Sequence, residues 1–367
     1  MTHATAGSLP RLERLASPVK GAFLLLTDPL DIRWVTGFTG STSRLLVNCE
    51  EGCGWLIVDA RYEERAWDEA GGDGSKVEVV VHRSPETADD AIARIVGGAA
   101  ILVDPAAITV ASHSGLSART DVHLGASNIG ELRRVKDPGE LAAMRRAAEI
   151  ADAALLGVVA DGLEGRTERE IRGRLDEQMR RGGADDVAFP TIVAAGPNAS
   201  RPHHEPGERL VEAGDCVIID MGAMVNGYRS DMTRTIAVGD VGLEMRGMLD
   251  LVLRAQADAI SALGAGVPGR EVDFAARSRF ARNSLGHEFV HGTGHGVGLA
   301  IHEKPILGPS CDATLLDGEV VTVEPGLYRR GFGGVRIEDL LVVSGASSRS
   351  LTSSPKDLSC PQSPRMI

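Results

Sequence analysis

Short hydrophobic runs alternate with helix-like segments in the first part of the chain, from about residue 19 to residue 123. Apolar runs bounded by polar segments predict buried strands, and their alternation with helices predicts an α/β domain. The predicted strands are residues 22–26, 44–47, 55–59, 77–82 and 100–104, and the predicted helices are 61–70 and 86–96. This part has no cluster of His, Asp or Glu, so we expect it to serve in packing, in subunit contact or as one wall of a cleft.

The pattern changes at Asp137, where two firmly capped helices begin. Asp137 is a good N-cap, the proline after it suits the first helical position, and Glu140 completes a capping box. Apolar residues recur at helical spacing as far as Gly162. Thr167 begins a second capped helix, which ends at the glycine pair 182–183. The predicted boundaries are an N-terminal domain at 1–130, a second domain at 135–358 and a frayed tail at 359–367.

Residues 217–236 are typical of two apolar strands joined by a tight turn. Their Asn-Gly dipeptide at 226–227 strongly favours a two-residue β-hairpin. In that register Asp220 lies opposite Thr233, and Asp231 is its diagonal neighbour on the same face, with Cα atoms ~7–8 Å apart. Both aspartates lie inside apolar strands rather than in the turn. This placement suits shared binding of one or two cations better than simple exposure to solvent.

The second domain repeats this design. The stretches 214–220 and 318–324 both begin with a glycine-acid pair, continue as an apolar strand and end on an acid, Asp220 or Glu324. A partner strand carries a further acid in each copy, which is Glu338 in the second. Two helices precede each copy, and in the second copy they are predicted at about 244–263 and 272–285. Two hairpins related by an approximate two-fold axis would bring four carboxylates to one cleft.

Histidines add a nitrogen ligand to this set. The segment HGTGHGVG at 291–298 is too rich in glycine to be a helix, and its glycines let imidazoles approach an ion closely. The candidates are His203, His204, His291, His295 and His302. Carboxylates with one imidazole suit two ions such as Mn²⁺ or Co²⁺ better than a structural zinc. Because two such ions activate water and polarise a carbonyl, the residues predict a dinuclear metallohydrolase.

Composition narrows the class of partner. The chain has 367 residues, enough for two domains, and its formal net charge of −12 argues against nucleic acid or anionic membrane as the main partner. No apolar stretch approaches the ~20 residues of a membrane span. The five cysteines are scattered, and Cys49 with Cys53 lacks the second pair that a structural zinc site needs. We expect reduced thiols, no signal peptide and a cytoplasmic protein.

Taken together, the motifs resemble the pita-bread metallopeptidases, specifically the Xaa-Pro branch of aminopeptidase P and prolidase. The matching segments are WVTGF at 34–38, LIVDARY at 56–62, RVKDP at 134–138, FPTIV at 189–193, IDMG at 219–222, SDMTRT at 230–235, HGTGHGVG at 291–298, VEPG at 323–326 and GVRIED at 334–339. The resemblance implies an α+β fold: a pita-bread catalytic domain with an internal pseudo-two-fold, preceded by a smaller α/β creatinase-like domain. It also implies a homodimer that hydrolyses proline-containing peptides.

The resemblance assigns the metal ligands position by position. It implies that Asp231 and Glu338 bridge two divalent ions, that Asp220 binds one ion, and that His295 and Glu324 bind the other. The expected ions are Mn²⁺ first, with Co²⁺ and Zn²⁺ as alternatives. Glu324 is also expected to carry a proton from the attacking water to the leaving proline nitrogen.

The resemblance also implies roles beside the metals. His203 and His302 match histidines that steady the scissile carbonyl and the tetrahedral intermediate, and His291 matches one that lines the substrate pocket. Arg336 matches a supporting arginine beside the bridging glutamate, where such partners orient metal ligands. His204 has no clear counterpart, so we expect it to be a neighbour rather than a catalyst.

One loop separates the two activities of the branch. The prolidase pattern carries an arginine within residues 303–317 to hold the free carboxylate of an Xaa-Pro dipeptide. Here Lys304 is the only cation in that loop, although Arg329, Arg330 or a partner chain could supply another. We therefore expect aminopeptidase P activity, with Xaa-Pro dipeptidase as the alternative.

Other members of the wider fold fit less well. Methionine aminopeptidases share the catalytic fold but lack the N-terminal domain. Creatinase-like enzymes and non-catalytic pita-bread modules do not keep the metal ligands, whereas every ligand position is filled here. We expect an active metallopeptidase on that ground.

Overall fold

A computed structural model describes residues 8–72, 74–357 and 359–360. The chain folds into two compact units, Met1–Arg133 and Arg134–Ile367. None of the helices in the described part of the chain has the length and hydrophobicity that a membrane span requires.

The first unit is built on one mixed sheet. Its strands are β1 (Phe23–Leu26), β2 (Arg44–Asn48), β3 (Cys53–Asp59), β4 (Val77–His82), β5 (Ile101–Val103) and β6 (Val122–Leu124). Its helices are α1 (Ser8–Arg14), α2 (Pro29–Thr36), α3 (Glu63–Glu69), α4 (Ala88–Val96), α5 (Val110–Ser117) and α6 (Ile129–Leu132). The six strands have the order β4-β3-β2-β1-β5-β6, with β1 antiparallel to β2 and parallel to β5. The core holds Leu25, Leu46 and Ile57 of the sheet against Ile92 of α4, so the predicted α/β pattern is confirmed.

Helix α2 is an addition to the predicted elements. The Asp28-Pro29 pair that ends the first apolar run also begins a helix, because Asp28 Oδ1 accepts a hydrogen bond from the Leu30 amide at 2.7 Å. Gly37 ends the helix with a positive φ of 81°. With only 8 residues, or just over two turns, between these caps and a mixed face, the segment has too few periodic apolar positions to be recognised from hydrophobicity alone.

The helices of the second unit occur in two pairs, and each pair precedes a large sheet. They are α7 (Pro138–Ala160), α8 (Glu168–Arg181), α9 (Gly242–Ala262) and α10 (Gly269–Arg282). Both predicted capping boxes are present, Asp137 with Glu140 and Thr167 with Glu170. The second pair begins two or three residues earlier than predicted, at Gly242 and Gly269, where no side-chain cap marks the start.

The strands of the second unit follow the same two-part plan. In the first part they are β7 (Asp186–Val187), β8 (Ile192–Ala195), β9 (Cys216–Met221), β10 (Ala223–Val225), β11 (Tyr228–Arg229) and β12 (Met232–Val238). In the second part they are β13 (Gly294–Gly296), β14 (Glu303–Leu307), β15 (Val320–Val323), β16 (Gly326–Arg329), β17 (Gly333–Arg336), β18 (Asp339–Ser344) and β19 (Ser347–Ser350). The principal sheets have the orders β20-β12-β9-β8 and β14-β13-β15-β18-β19, where β20 is Ser359–Cys360.

Strand β20 corrects the expectation of a tail that frays from residue 359. Cys360 is 1% exposed, and its strand pairs in parallel with β12. Its Sγ accepts a hydrogen bond from the Leu163 amide at 3.4 Å. Residues 361–367 of the predicted tail lie outside the described residues.

The first hairpin has the predicted register. Val225 pairs with Tyr228 across a turn in which Asn226 and Gly227 have φ values of 50° and 76°, and Asp220 pairs with Thr233. Positive φ at both turn residues is what a tight hairpin of this twist requires, and Asn-Gly supplies it at low cost. The hairpin is nevertheless divided, because its ladder is interrupted between β9 and β10 and again between β11 and β12.

The second hairpin is interrupted in the same way, which corrects the prediction that Glu338 lies within an unbroken partner strand. Val323 pairs with Asp339 and Gly326 pairs with Arg336, so the register is continuous while the residues between them leave the ladder. Strands β17 and β18 therefore belong to different sheets, and Glu338 lies in the gap between them. Alternation along a strand does not reveal such a break, because the break depends on what the neighbouring hairpin contributes.

Candidate metal centre and active site

The first hairpin provides two carboxylates at its interruption. Asp220 lies near the end of β9, and Asp231 lies directly before β12, where its side chain is buried. Gly222 makes this crossing possible: a Cβ there would lie 1.9 Å from the Ser230 carbonyl oxygen. The two strands thus come together more closely than any side chain at 222 would allow.

The second hairpin provides two more carboxylates, and Thr233 joins it to the first. Glu324 follows β15, and Glu338 is 1% exposed. The Glu338 amide donates to the Thr233 carbonyl oxygen at 3.1 Å, and Thr233 Oγ1 donates to Glu338 Oε2 at 2.6 Å. Thr233 Oγ1 also accepts from Arg336 Nε at 3.0 Å. The carboxylates of the two hairpins are therefore brought together by direct hydrogen bonds between the hairpins.

His295 enters the same space from β13. Its Nε2 lies 3.4 Å from Glu324 Oε1 and 3.7 Å from Asp231 Oδ2. Its other ring nitrogen, Nδ1, lies 3.1 Å from the Gly296 carbonyl oxygen. Because a carbonyl oxygen can only accept, the proton belongs on Nδ1, and Nε2 is left as a lone-pair donor that faces the carboxylates.

These residues fit a divalent cation. One ligand atom from each of Asp231, His295 and Glu338 lies within 4.8 Å of the others. Asp220 Oδ1 is buried and accepts no hydrogen bond from the described residues, although a buried acceptor without a partner is costly. Oxygen donors with one imidazole match the preference of Mn²⁺ and similar ions. The residues therefore fit one or more divalent ions.

Electrostatics point the same way. Burial, followed by the charges of Glu338, Asp220 and Glu324, raises the pKa of Asp231 well above its usual range. Burial and the neighbouring carboxylates likewise raise the pKa of Glu338, and burial raises the pKa of Glu324. Acids in one buried place cannot all ionise unless positive charge is added. A bound divalent cation would supply that charge.

The histidines around the carboxylates are set to be neutral. Burial is the main cause that lowers the pKa of His291, His295 and His302. The rings of His295 and His302 meet edge to face, with centroids 4.4 Å apart. A neutral imidazole can bind a metal or exchange hydrogen bonds with a substrate carbonyl.

Arg336 connects the carboxylates to a tyrosine. Its Nη2 donates to Asp220 Oδ2 at 2.8 Å, and its Nη1 donates to the Tyr328 hydroxyl at 2.9 Å. That hydroxyl lies 2.9 Å from His291 Nε2. Burial raises the pKa of Tyr328 to about 12, so the hydroxyl stays protonated. It can therefore donate a hydrogen bond to His291 Nε2. Tyr328 therefore fixes the orientation of both Arg336 and His291.

All of the residues predicted for the site line one cavity of about 780 Å³ in the second unit. They are Asp220, Asp231, His295, Glu324, Glu338, His203, His302, His291 and Arg336. A cavity of this volume is in the range of small-molecule and peptide sites. His204 lines it as well.

Comparison with known proteins decides the family. Residues 142–345 match Metallopeptidase family M24, and residues 10–135 match the Creatinase/Prolidase N-terminal domain. This chain belongs to metallopeptidase family M24. The resemblance found in the sequence and the fold class that it implied are confirmed.

Several relatives of this M24 peptidase are named as Xaa-Pro peptidases. An Xaa-Pro dipeptidase from Pyrococcus furiosus is 38% identical over 63% of this chain and 66% of its own length. The structure of an Xaa-Pro dipeptidase from Bacillus anthracis has a TM-score of 0.87 at 35% identity and covers 92% of this chain and 94% of that one. The structure of an X-Pro aminopeptidase from Thermotoga maritima has a TM-score of 0.86 at 31% identity and covers 96% and 99%.

Two parts of the M24 site have no signal in the sequence motifs. Glu168, fully buried on α8, accepts hydrogen bonds from the amides of Ala195 and Gly207 at 2.8 and 3.0 Å. Its Oε2 also lies 2.8 Å from His204 Nε2. His204 is thus held in the cavity wall by an acid 36 positions earlier in the chain. Tyr328 is the second such part, and only its apolar, alternating strand marks it as buried.

Proposed function

We propose that this M24 peptidase hydrolyses the Xaa-Pro bond of dipeptides with the help of two divalent cations. The observation that carries the proposal is the convergence of the predicted ligands, Asp220, Asp231, His295, Glu324 and Glu338, in one cavity. The named relatives support the dipeptide as substrate, since those from Pyrococcus furiosus and Bacillus anthracis are called Xaa-Pro dipeptidases. These relatives favour dipeptidase activity over the aminopeptidase P activity expected from the 303–317 loop.

Mn²⁺ is the cation we propose first, with Co²⁺ and Zn²⁺ as alternatives. When bound, such ions supply Lewis-acid polarisation of the scissile carbonyl and activation of water. Asp231 and Glu338 would serve both ions, because each has a ligand atom within 4.8 Å of one from His295, and Glu338 also bonds to Thr233, the residue paired with Asp220. Asp220 is held from one side by Arg336, which leaves its Oδ1 for an ion.

Glu324 is the residue we propose for proton transfer. Burial raises the pKa of the Glu324 carboxyl, which favours uptake of a proton from the attacking water. Thr322 Oγ1 donates to its Oε1 at 3.2 Å and holds the carboxyl at the cavity wall. The proton leaves from Glu324 to the proline nitrogen when the peptide bond breaks.

His203 and His302 are proposed to act on the carbonyl side. Both line the cavity, and the lowered pKa of His302 favours a neutral ring. A neutral ring can donate its N–H to the substrate carbonyl oxygen without bringing a second positive charge beside the cations. Donors of this kind stabilise the charge that develops during attack.

Aminopeptidase P activity is the second candidate, for two reasons. The relative from Thermotoga maritima is called an X-Pro aminopeptidase. In addition, Ile306, the residue of the 303–317 loop that lines the cavity, carries no charge for a substrate carboxylate. A longer peptide carries an amide at that place and needs no cation there.

The decisive experiment compares Ala-Pro with Ala-Pro-Ala. We expect kcat/KM with Mn²⁺ to favour the dipeptide by ~10-fold or more, which corresponds to ~1.4 kcal/mol in the transition state. Chelation should abolish cleavage of both, and elemental analysis of the active protein should find two metal ions per chain. Equal or better cleavage of Ala-Pro-Ala would instead establish the aminopeptidase, and full activity in chelator would overturn the metal proposal.

A further inference from the structure

One arginine of the cavity wall lies on helix α8. Glu168, Arg172 and Asp176 follow one another at intervals of four along this helix and therefore share a side of it. The acids before and after Arg172 each hold a piece of the wall. Glu168 binds the loop that contains His204, and Asp176 Oδ1 accepts from Thr191 Oγ1 at 2.6 Å. Arg172 thus lies on the helix between two residues that bind the cavity wall, and it lines the cavity itself.

Arg172 differs from the other arginines of α8 that have partners. Arg169, Arg174, Arg180 and Arg181 pair with the acids Glu208, Asp161, Asp186 and Glu177. Arg172 is half-buried, yet it forms no hydrogen bond or ion pair with any described residue. The acids nearest to it along the helix, Glu168 and Asp176, are bonded to other groups. A partly desolvated guanidinium that bonds to no protein carboxylate is suited to receive one from a ligand.

Other cations near the site are already engaged. Arg336, which also lines the cavity, is bound by Asp220 and Tyr328. Arg329 pairs with Glu288 and Glu244 on the protein and does not line the cavity. Among the described residues that line the cavity, Arg172 is therefore the one arginine whose charge is not matched by a protein acid.

We propose that Arg172 binds the free α-carboxylate of the Xaa-Pro dipeptide and so sets the preference for dipeptides. This inference rests on the proposed function and adds the residue that performs the selection. A carboxylate brought into a partly desolvated cavity needs a paired cation, and a guanidinium meets both of its oxygens at once. Glu205, which also lines the cavity, is exposed to solvent and does not pair with Arg172.

The test removes either the positive charge of Arg172 or the negative charge of the substrate carboxylate. With Mn²⁺ present, Arg172→Gln should raise KM for Ala-Pro by about ten- to hundredfold, the factor expected for one charge-assisted hydrogen-bonded pair. KM for the amide Ala-Pro-NH₂ should change less than about twofold, because the amide has no charge to lose. Arg172→Lys should keep part of the affinity, since lysine retains the charge without the two-pronged geometry.

Arg181→Gln is the matched control, since this arginine is on the same helix and pairs at the surface with Glu177. It should leave both substrates unaffected. Equal losses on the dipeptide and its amide in Arg172→Gln would mean a structural role, and no loss on either would mean that Arg172 does not bind the substrate. Both results overturn the inference, and both leave Xaa-Pro cleavage by the unaltered enzyme intact.

Binding of the product offers a readout that does not depend on turnover. L-proline should bind the Mn²⁺-loaded protein more tightly than L-prolinamide in calorimetry, and Arg172→Gln should abolish that difference. If the unaltered enzyme did not cut Ala-Pro at all, the proposed function would be wrong. The comparison of proline with prolinamide would still test whether Arg172 binds a carboxylate. A difference that persists in Arg172→Gln would assign the carboxylate to another group and overturn the inference.

Discussion

Asp220 and Asp231 have the same side chain in unequal surroundings. Asp231 is buried beside both His295 and Glu338, whereas one oxygen of Asp220 is already occupied by Arg336. We expect Asp231→Asn to lower bound metal and kcat at least ~10-fold more than Asp220→Asn, because Asp231 can serve two ions. Elemental analysis and kcat on Ala-Pro measure this, with the exposed Asp240→Asn as control. Equal losses in the two variants would remove the bridging role.

For single residues, the sequence predicts those site residues that can be recognised by their type and by the motif around them. Asp220 and Glu324 are recognisable because each ends an apolar strand, and Asp231 and Glu338 because each lies in the partner segment of such a strand, where an ordinary surface acid is not expected. Tyr328, Glu168 and Arg172 were not recognisable, because each acts through partners far away in sequence. The Glu168 carboxylate, for example, bonds to His204, and only the folded chain brings these two together.

Glycines in β-strands keep the elements of the site in place. A Cβ on Gly294 would lie 2.0 Å from the Thr322 carbonyl oxygen, so β13 and β15 would have to separate beside His295. We expect Gly294→Ala to cost ~2–4 kcal/mol and to lower the midpoint of thermal unfolding by roughly 5–15 °C. It should also weaken metal binding, because His295 moves with the strand.

Gly157→Ala is the matched control for that variant. Gly157 lies on the exposed side of α7, with nothing within 4 Å of the added Cβ. Alanine is the better helix former there by ~0.5–1 kcal/mol, so the midpoint should rise by roughly 1–4 °C. Differential scanning calorimetry of both variants measures these midpoints. A Gly294→Ala protein as stable as the unaltered one would refute the steric account.

Helices, turns and strands differ in how far neighbouring residues alone determine them. The capping boxes of α7 and α8 and the Asn-Gly turn depend on a few neighbouring residues, and all of them were predicted correctly. The interruption at Glu338 could not be predicted, because it exists to let that residue bond to Thr233 from the other hairpin. Local sequence predicts the strands well, but it does not predict where a strand leaves its ladder to contact another hairpin.

The whole molecule should respond to pH through its metal site. In the metal-free protein, burial first and then like charges raise the pKa values of Asp231 and Glu338. The unfolded chain has ordinary carboxyl pKa values and binds fewer protons, so stability falls as pH rises from the ordinary range toward the raised pKa values. The lowered pKa values of His291, His295 and His302 act in the opposite direction near and below the ordinary histidine pKa, so the comparison belongs above it. We expect the thermal midpoint of chelated protein to be lower at about pH 8.5 than at about pH 7.

Metal should reverse this trend, because a cation compensates the charges that high pH creates. At a concentration of Mn²⁺ about 100 times its Kd, stabilisation of ~2.7 kcal/mol is expected, or roughly 5–10 °C at about pH 7.5. Chelated Asp231→Asn, which lacks one of the acids, should lose less stability over the same pH interval. A chelated midpoint that rises with pH in both proteins would contradict the assignment.

The hydrogen bond between Thr233 and Glu338, which joins the two halves of the second unit, has a consequence for synthesis and folding of the chain. The two helix pairs of the second unit build separate cores, one around Leu155, Ile219 and Ile236 and the other around Val252, Phe280 and Val323. The first half of the unit carries only aspartates for the ion, and the imidazole arrives with the second half. A half-finished or half-folded chain therefore lacks the complete set of proposed ligands, and capture of an ion would require that both halves have folded against each other.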